Sequence, residues 1–165
     1  MTFEQLTEKL NAKFPEKLNS YVEFKCNFIR VKDVSVYKEV LKALKEEFSF
    51  KYMVDVIATH WPKKREKFEI TNNLFSVENK LRVFVKISQE DNKFPTISDI
   101  WVGANLMERE QYDLVGVVFE GHPDLRRILL PEFFEGHPLR KDFPLKERAW
   151  FNNADEQGLG LKFTR

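Results

Sequence analysis

One cysteine in 165 residues, Cys26, cannot form an internal disulfide, and it leaves an iron–sulfur cluster without the roughly four protein ligands such a centre needs. Long apolar runs are missing too. Nothing approaches the roughly 18 to 20 apolar residues that span a bilayer as a helix, and Met1-Thr2-Phe3-Glu4-Gln5 lacks the basic-then-apolar pattern of a leader. The chain is therefore expected to be soluble, and to reach a membrane only through other proteins. Neither charge sign dominates: 27 basic against 26 acidic side chains leave +1, so no global field draws the protein to nucleic acid or an anionic surface. A dinucleotide loop is also missing, because Gly158-Leu159-Gly160 is followed by Leu161-Lys162-Phe163 and no third glycine.

The composition, 42% hydrophobic and 32% charged, is that of a globular chain with one core. Sixteen phenylalanines supply a large apolar area for that core or for a partner surface. Thr2-Phe3-Glu4-Gln5 reads as a capping box, with Phe3, Leu6, Leu10 and Phe14 at helical spacing behind it and Pro15 as the stop. From Tyr21 to Val31 the residues alternate, which predicts one strand with Val22, Phe24, Cys26 and Phe28 buried and Cys26 as an inert core thiol. Asp33 can cap a second helix whose stripe is Val36, Val40, Leu44 and Phe48. Tyr52–Thr59, Phe68–Val77 and Leu81–Ser88 read as strands, the last two joined at Glu78-Asn79-Lys80; the basic loop Trp61–Lys67 reads as a solvated turn. The pattern predicts an α+β fold, a small mixed or antiparallel sheet packed against helices, with an extended C-terminal arm. Residues 1–120 are expected to form the globular part and residues 121–165 a proline-containing docking arm and tail of the same single-domain subunit.

Most of the information lies between Asn105 and Pro144. Ser98 is expected to start a helix that runs to a left-handed cap at Gly116, with Arg109 pairing with Asp113 four residues on and Glu108-Arg109-Glu110 presenting charge to solvent or to another chain. Asp124 can cap a short turn carrying Arg126 and Arg127, whose guanidinium forks suit inter-subunit carboxylates. Pro131, Gly136, Pro138 and Pro144 then leave little room for regular structure, so the segment reads as an arm lying over its own domain or a neighbour.

Glu108-Arg109-Glu110-Gln111-Tyr112-Asp113-Leu114, continued through His122, Arg126, Ile128 and Leu129, resembles the signature of the complex I 30-kilodalton (C) subunit family. Glu135 to Pro144 is similar to the family's downstream block, and Lys51–Asp55, Asn73–Ser76 and Ile97–Ala104 resemble its core; Asn73-Leu74-Phe75-Ser76 and Leu106 depart from the usual residues without touching the charges. The resemblance implies a non-redox structural subunit of the peripheral arm of a proton-translocating NADH-quinone oxidoreductase. Its implied partners are other peripheral-arm subunits, chiefly the quinone-site 49-kilodalton (D) subunit, with indirect membrane association on the cytoplasmic side and no nucleic acid. It implies no cofactor in this chain, FMN and iron–sulfur clusters in other subunits, and no catalysis by the chain alone. The signature and interface residues it marks are Glu108, Arg109, Glu110, Asp113, His122, Arg126, Arg127, His137, Arg140, Lys141 and Asp142. Reversing Arg126 and Arg127 to Glu is expected to release the subunit with its fold intact.

Four other readings compete. Membrane-bound hydrogenases and related dehydrogenases use an equivalent subunit. His122, His137, Glu120, Glu135 and Cys26 are possible metal ligands, but the histidines lack a partner at zinc-like spacing. Glu108, Glu110, Asp113 and His122 could serve a hydrolase, yet no nucleophile or phosphate loop accompanies them. Arg126, Arg127, Arg140 and Lys141 could form a stand-alone anion- or nucleic-acid-binding module, but Asp124, Glu132, Glu135 and Asp142 dilute that field.

Overall fold

The computed structural model describes residues 1–132 and 134–144; the tail, with Gly158 and Gly160 and the end of the expected arm, lies outside the described residues. Helix α1 (Phe3–Lys13) opens with the anticipated capping box, in which Thr2 Oγ1 accepts from the Gln5 amide at 3.4 Å and Gln5 Oε1 accepts from the Thr2 amide at 3.0 Å. Its Leu6 and Leu10 are fully buried. Helix α2 (Val34–Glu46) starts at Asp33, whose carboxylate accepts from the Ser35 amide at 2.9 Å. Tyr37 joins Val40, Leu41 and Leu44 on its buried stripe, and the Tyr37 hydroxyl accepts from Asn72 Nδ2 at 2.5 Å.

The strand expected from Tyr21 to Val31 is instead a hairpin of β1 (Leu18–Glu23) and β2 (Cys26–Val31). Phe24 and Lys25 turn the chain at φ 49° and 61°, the left-handed pair of a two-residue hairpin turn, without the Asn or Gly that usually marks one. Phe24 is 91% exposed at the tip and Cys26 is only half-buried, so neither fills the core as anticipated; Leu18, Ile29 and Val31 do. Strands β3 (Tyr52–His60), β4 (Phe68–Ser76) and β5 (Leu81–Gln89) lie where the alternation placed them.

The sheet order is β1-β2-β5-β4-β3, antiparallel except for the central β2–β5 pair. Val83, Val85 and Ile87 of β5, with Ile70 and Leu74 of β4, are buried in one core with α1 and α2. Each such side chain contributes roughly 1.5–3 kcal/mol over an exposed one. The opposite sheet face carries a half-buried aromatic row, Tyr21 stacked on Phe28 at 5.2 Å and Phe28 beside Phe84 at 5.3 Å.

A second unit is built on the sheet's β3 edge. Strands β6 (Lys93–Pro95) and β7 (Val118–Glu120) pair in parallel, and parallel neighbours need a crossover, supplied here by helix α3 (Ala104–Val115). The residue pattern places the helix start at Ser98. In the structure Ile100 and Trp101 donate to the Ile97 carbonyl in a single turn, and α3 begins only after Gly103. Helix α3 packs along β3, where Gln111 Oε1 accepts the outward amide of Ala58 at 3.0 Å and closes an edge open to another strand.

Candidate functional site

The charged signature does not sit on a solvated helix face. Glu108 and Asp113 are both 0% exposed, Glu108 on the face of α3 it shares with Ala104 and Gln111, and Asp113, about 140° round the helix from it, beneath the returning arm. The expected Arg109–Asp113 pair is not formed, because the two side chains are drawn to different parts of the chain that follows. Arg109 donates from Nε to the Arg126 carbonyl at 3.1 Å and from Nη2 to the Arg127 carbonyl at 3.2 Å, with Asp124 at 3.7 Å.

Asp113 organises the arm. Its Oδ2 accepts three consecutive backbone amides, Ile128 at 3.1 Å, Leu129 at 2.8 Å and Leu130 at 2.9 Å, while Oδ1 accepts Arg127 Nη1 at 2.7 Å. Burial pushes this carboxyl up, but the amides of Leu130 and Leu129, the Arg127 guanidinium and the Ile128 amide outweigh it and hold Asp113 below the ordinary carboxylate value. Arg127 also reaches the Gly136 carbonyl at 3.0 Å, tying both limbs of the arm to one helix terminus. Reversing Arg126 and Arg127 together would therefore not leave the fold intact: Glu at 127 would face a buried carboxylate.

The C-terminal turn of α3 completes this anchorage. Gly116 takes φ +79° and its amide donates to the Gln111 and Tyr112 carbonyls, the left-handed cap anticipated from the sequence. His137 lies where a Cβ on Gly116 would project, 2.5 Å from its ring. Its Nδ1 donates to the Asp113 carbonyl at 2.9 Å, and the Leu139 amide donates to the Leu114 carbonyl at 2.9 Å. Farther on, Arg140 holds Asp142 with two bonds of 2.9 Å and lies over the Phe68 ring at 5.5 Å. The Lys141 amide donates to Nδ1 of buried His60 at 3.3 Å, with Asp142 3.7 Å away. His60 was not singled out from the sequence, since its place at the end of β3 gave no motif; burial lowers its pKa against the opposing pull of Asp142.

Glu108 anchors the other end of the crossover. Thr96 Oγ1 donates to it at 2.5 Å and the Ile97 amide at 2.7 Å, and His122 Nε2 stands 3.9 Å off. Burial pushes this carboxyl up to about 7 despite those donors. His122 donates from Nε2 to the Asn105 carbonyl at 3.1 Å and accepts the Asp124 amide on Nδ1 at 3.0 Å, which fixes its tautomer.

The structure thus brings Glu108 together with His122, and Asp113 with Arg127 and His137. The Glu108–His122 pair is sealed, both side chains having no exposed surface, so no substrate reaches an acid–base couple there. Nor do the four basic residues form an anion site. Arg126 reaches Asp124 at 3.0 Å, Arg127 is bound to Asp113 and Arg140 to Asp142, which leaves only Lys141 of the four without an ion pair among the described residues. Of the ligand candidates, His122 and His137 are turned to separate carbonyls, and among the described residues no group of three His, Cys, Asp or Glu could hold a metal ion. No helix among them is long and apolar enough to cross a membrane.

Known proteins share both sequence and fold. The C subunit of the NADH-quinone oxidoreductase of Geotalea uraniireducens is 36% identical over 143 residues, 84% of this chain and 85% of that one. The C/D 2 subunit of the NADH-quinone oxidoreductase of Aquifex aeolicus is 46% identical over 109 residues, 66% of this chain but only 19% of that longer protein. A chain of the membrane-bound sulfane sulfur reductase, an archaeal respiratory membrane complex, has the same fold, with a TM-score of 0.74 at 24% identity over 98% of this chain and 95% of that one. Residues 30–149, which include most of the sheet and the whole crossover, match the model of the respiratory-chain NADH dehydrogenase 30-kilodalton subunit, and the chain belongs to that family.

Proposed function

We propose that this chain is a non-redox structural and assembly subunit of the peripheral arm of a proton-translocating NADH-quinone oxidoreductase, docked to the quinone-site D subunit and held indirectly at the cytoplasmic side of the membrane. The observation that carries this reading is how the signature charges are used. Glu108, Arg109, Asp113, Arg127 and Arg140 are bound inside the chain, so the stretch that defines the family is a rigid framework with no reaction centre open to substrate. The names of the relatives support that host, and one of them is named as a C/D subunit. FMN and iron–sulfur clusters belong to other subunits on this reading.

The test is to tag the chain in its host, solubilise membranes gently, identify what co-purifies, and assay the product with NADH and with other electron donors. The expected outcome is an NADH-oxidising complex containing a D-type subunit, while the isolated chain neither oxidises NADH nor reduces quinone. Turnover by the isolated chain would overturn the scaffold reading. A complex indifferent to NADH would move the subunit to a related membrane machine such as a hydrogenase.

A further inference from the structure

Among the described residues beyond Leu139, one hydrogen bond runs from the arm to the sheet, and it ends on a titratable ring. The Lys141 amide donates to Nδ1 of His60 at 3.3 Å, so the neutral ring carries its proton on Nε2. His60 is the last residue of β3, only 3% exposed, and it stacks on Phe68 of β4 at 4.8 Å. Arg140 lies over the same Phe68 ring at 5.5 Å and grips Asp142 with two bonds of 2.9 Å. His60, Phe68 and Arg140 thus clasp the end of the arm onto the β3–β4 hairpin.

The ring is buried but not sealed. It borders a cleft of about 370 Å³ whose charged walls are Lys67 before β4, Glu90 and Asp91 after β5, and Arg140 and Asp142 of the arm. A proton can reach the ring through that cleft, and its arrival changes each contact of the clasp. Nδ1 then carries hydrogen and meets the Lys141 amide donor to donor, which costs the bond and leaves the amide without its acceptor. A second cation joins Arg140 on one aromatic ring. The carboxylate within reach is that of Asp142, 3.7 Å away, but both its oxygens are held by Arg140. To take it, the ring must draw Asp142 out of the guanidinium fork.

We propose that His60 and the Arg140–Asp142 turn form an acid-released latch: a proton on His60 Nδ1 expels the Lys141 amide and frees the end of the arm from the sheet, while the limb bound to Asp113 stays in place. Burial, with Arg140 and Lys67 beside it, outweighs the pull of Asp142 and holds the ring below its ordinary 6.5. A histidine depressed in this way supports the closed form above its free value and withdraws that support as pH falls. Between the free and the latched values the closed form loses about tenfold per pH unit. Asp113 is held below 3.8, so its bonds to Ile128, Leu129 and Leu130 persist where His60 titrates, and the arm opens from its far end. The latch lies within one chain and operates in whichever complex hosts it, so its failure leaves the scaffold reading untouched.

The test follows the isotope-labelled full chain by NMR from pH 8 to pH 5, in the wild type and in His60→Asn, whose side-chain oxygen keeps an acceptor near the place of Nδ1 but cannot take up a proton. In the wild type the His60 ring is expected to titrate below 6.5, and the Lys141 amide signal to move with the same midpoint while Ile128–Leu130 stay still. In His60→Asn the Lys141 signal should no longer move. A Lys141 signal that is constant while the ring titrates overturns the latch. So does a ring that titrates at or above 6.5 or stays neutral down to pH 5, and so does a simultaneous change at Ile128–Leu130. Should His60→Asn fail to fold, Asp142→Asn decides. Loss of that carboxylate lowers the ring's midpoint, and the Lys141 amide must follow it down; an amide that keeps the wild-type midpoint overturns the latch.

Discussion

The sheet and the arm of this molecule are held in place by different physics. The sheet with α1 and α2 is an apolar assembly: Leu10, Leu44, Ile70 and Val85 are fully buried, and stability there scales with area removed from water. Helix α3 shares that apolar core through Ala104 and Val115, whereas the arm that follows it is held by a few directional bonds, most of them ending on buried Asp113, and buried Glu108 ties the crossover loop in the same way. The first kind tolerates exchange of one apolar residue for another of similar volume. The second does not, because removing one partner leaves the others buried and unpaired.

The sharpest way to break this contrast is a pair of deletions. Asp113→Ala strands Arg127 and three backbone amides and is expected to cost about 3–5 kcal/mol. Leu44→Ala opens a cavity at a cost of about 2–5 kcal/mol. The sizes overlap, but the locations differ. Amide exchange in Asp113→Ala should accelerate at Ile128–Leu130 and Leu139 while the sheet keeps its protection, whereas Leu44→Ala should lower protection throughout the sheet. Uniform loss in both variants would show that the arm and the sheet unfold as one unit.

The two carboxylates also respond to pH in opposite directions. Asp113, held below the ordinary value, contributes stability that is present at neutral pH and is lost as pH falls through its folded pKa. Glu108 is raised from 4.5 to about 7, so between those values the folded chain binds more protons than the unfolded one, and stability falls as pH rises. The loss amounts to about 3 kcal/mol in all, at 1.36 kcal/mol per unit. Glu108→Gln keeps an acceptor for the Ile97 amide and a donor for Thr96 but cannot ionise. Its urea midpoint should be flatter than the wild type's between pH 5 and pH 8, and higher at pH 8. A wild-type midpoint equal at both pH values would show that Glu108 stays ionised throughout.

What the sequence made legible follows the same division. Periodicity located α1, α2 and β3 to β5 because apolar burial leaves a period, and Thr2 and Asp33 marked the helix starts because capping is local. The Phe24-Lys25 turn was missed because neither residue favours positive φ; pairing of the flanking strands imposes it. Around α3 the motif identified the family, yet i to i+4 spacing gave the wrong partner for Asp113. The true partners lie 14 to 17 residues away, and nothing in local spacing encodes where a chain returns. Exposure was misjudged for the same reason: a charged triplet reads as a solvated face until the elements burying Glu108 are in place.

A smaller effect tests how the arm is seated at its second contact. Gly116 combines a left-handed φ of +79° with the His137 ring 2.5 Å from the place a Cβ would take. Gly116→Ala therefore meets two obstacles, backbone strain and a ring that must move, and is expected to cost about 2 kcal/mol. Gly103 serves as the control, since its backbone is right-handed and nothing lies within 4 Å of its added Cβ. Gly103→Ala should stay within about 0.5 kcal/mol of the wild type. If strain alone governs position 116, only the melting temperature falls. If the arm is seated on this glycine, the Leu139 amide also loses protection while Ile128–Leu130, bound separately by Asp113, keep theirs. That second pattern is the expected one, because the ring that must move belongs to the segment whose next bond is Leu139 to Leu114.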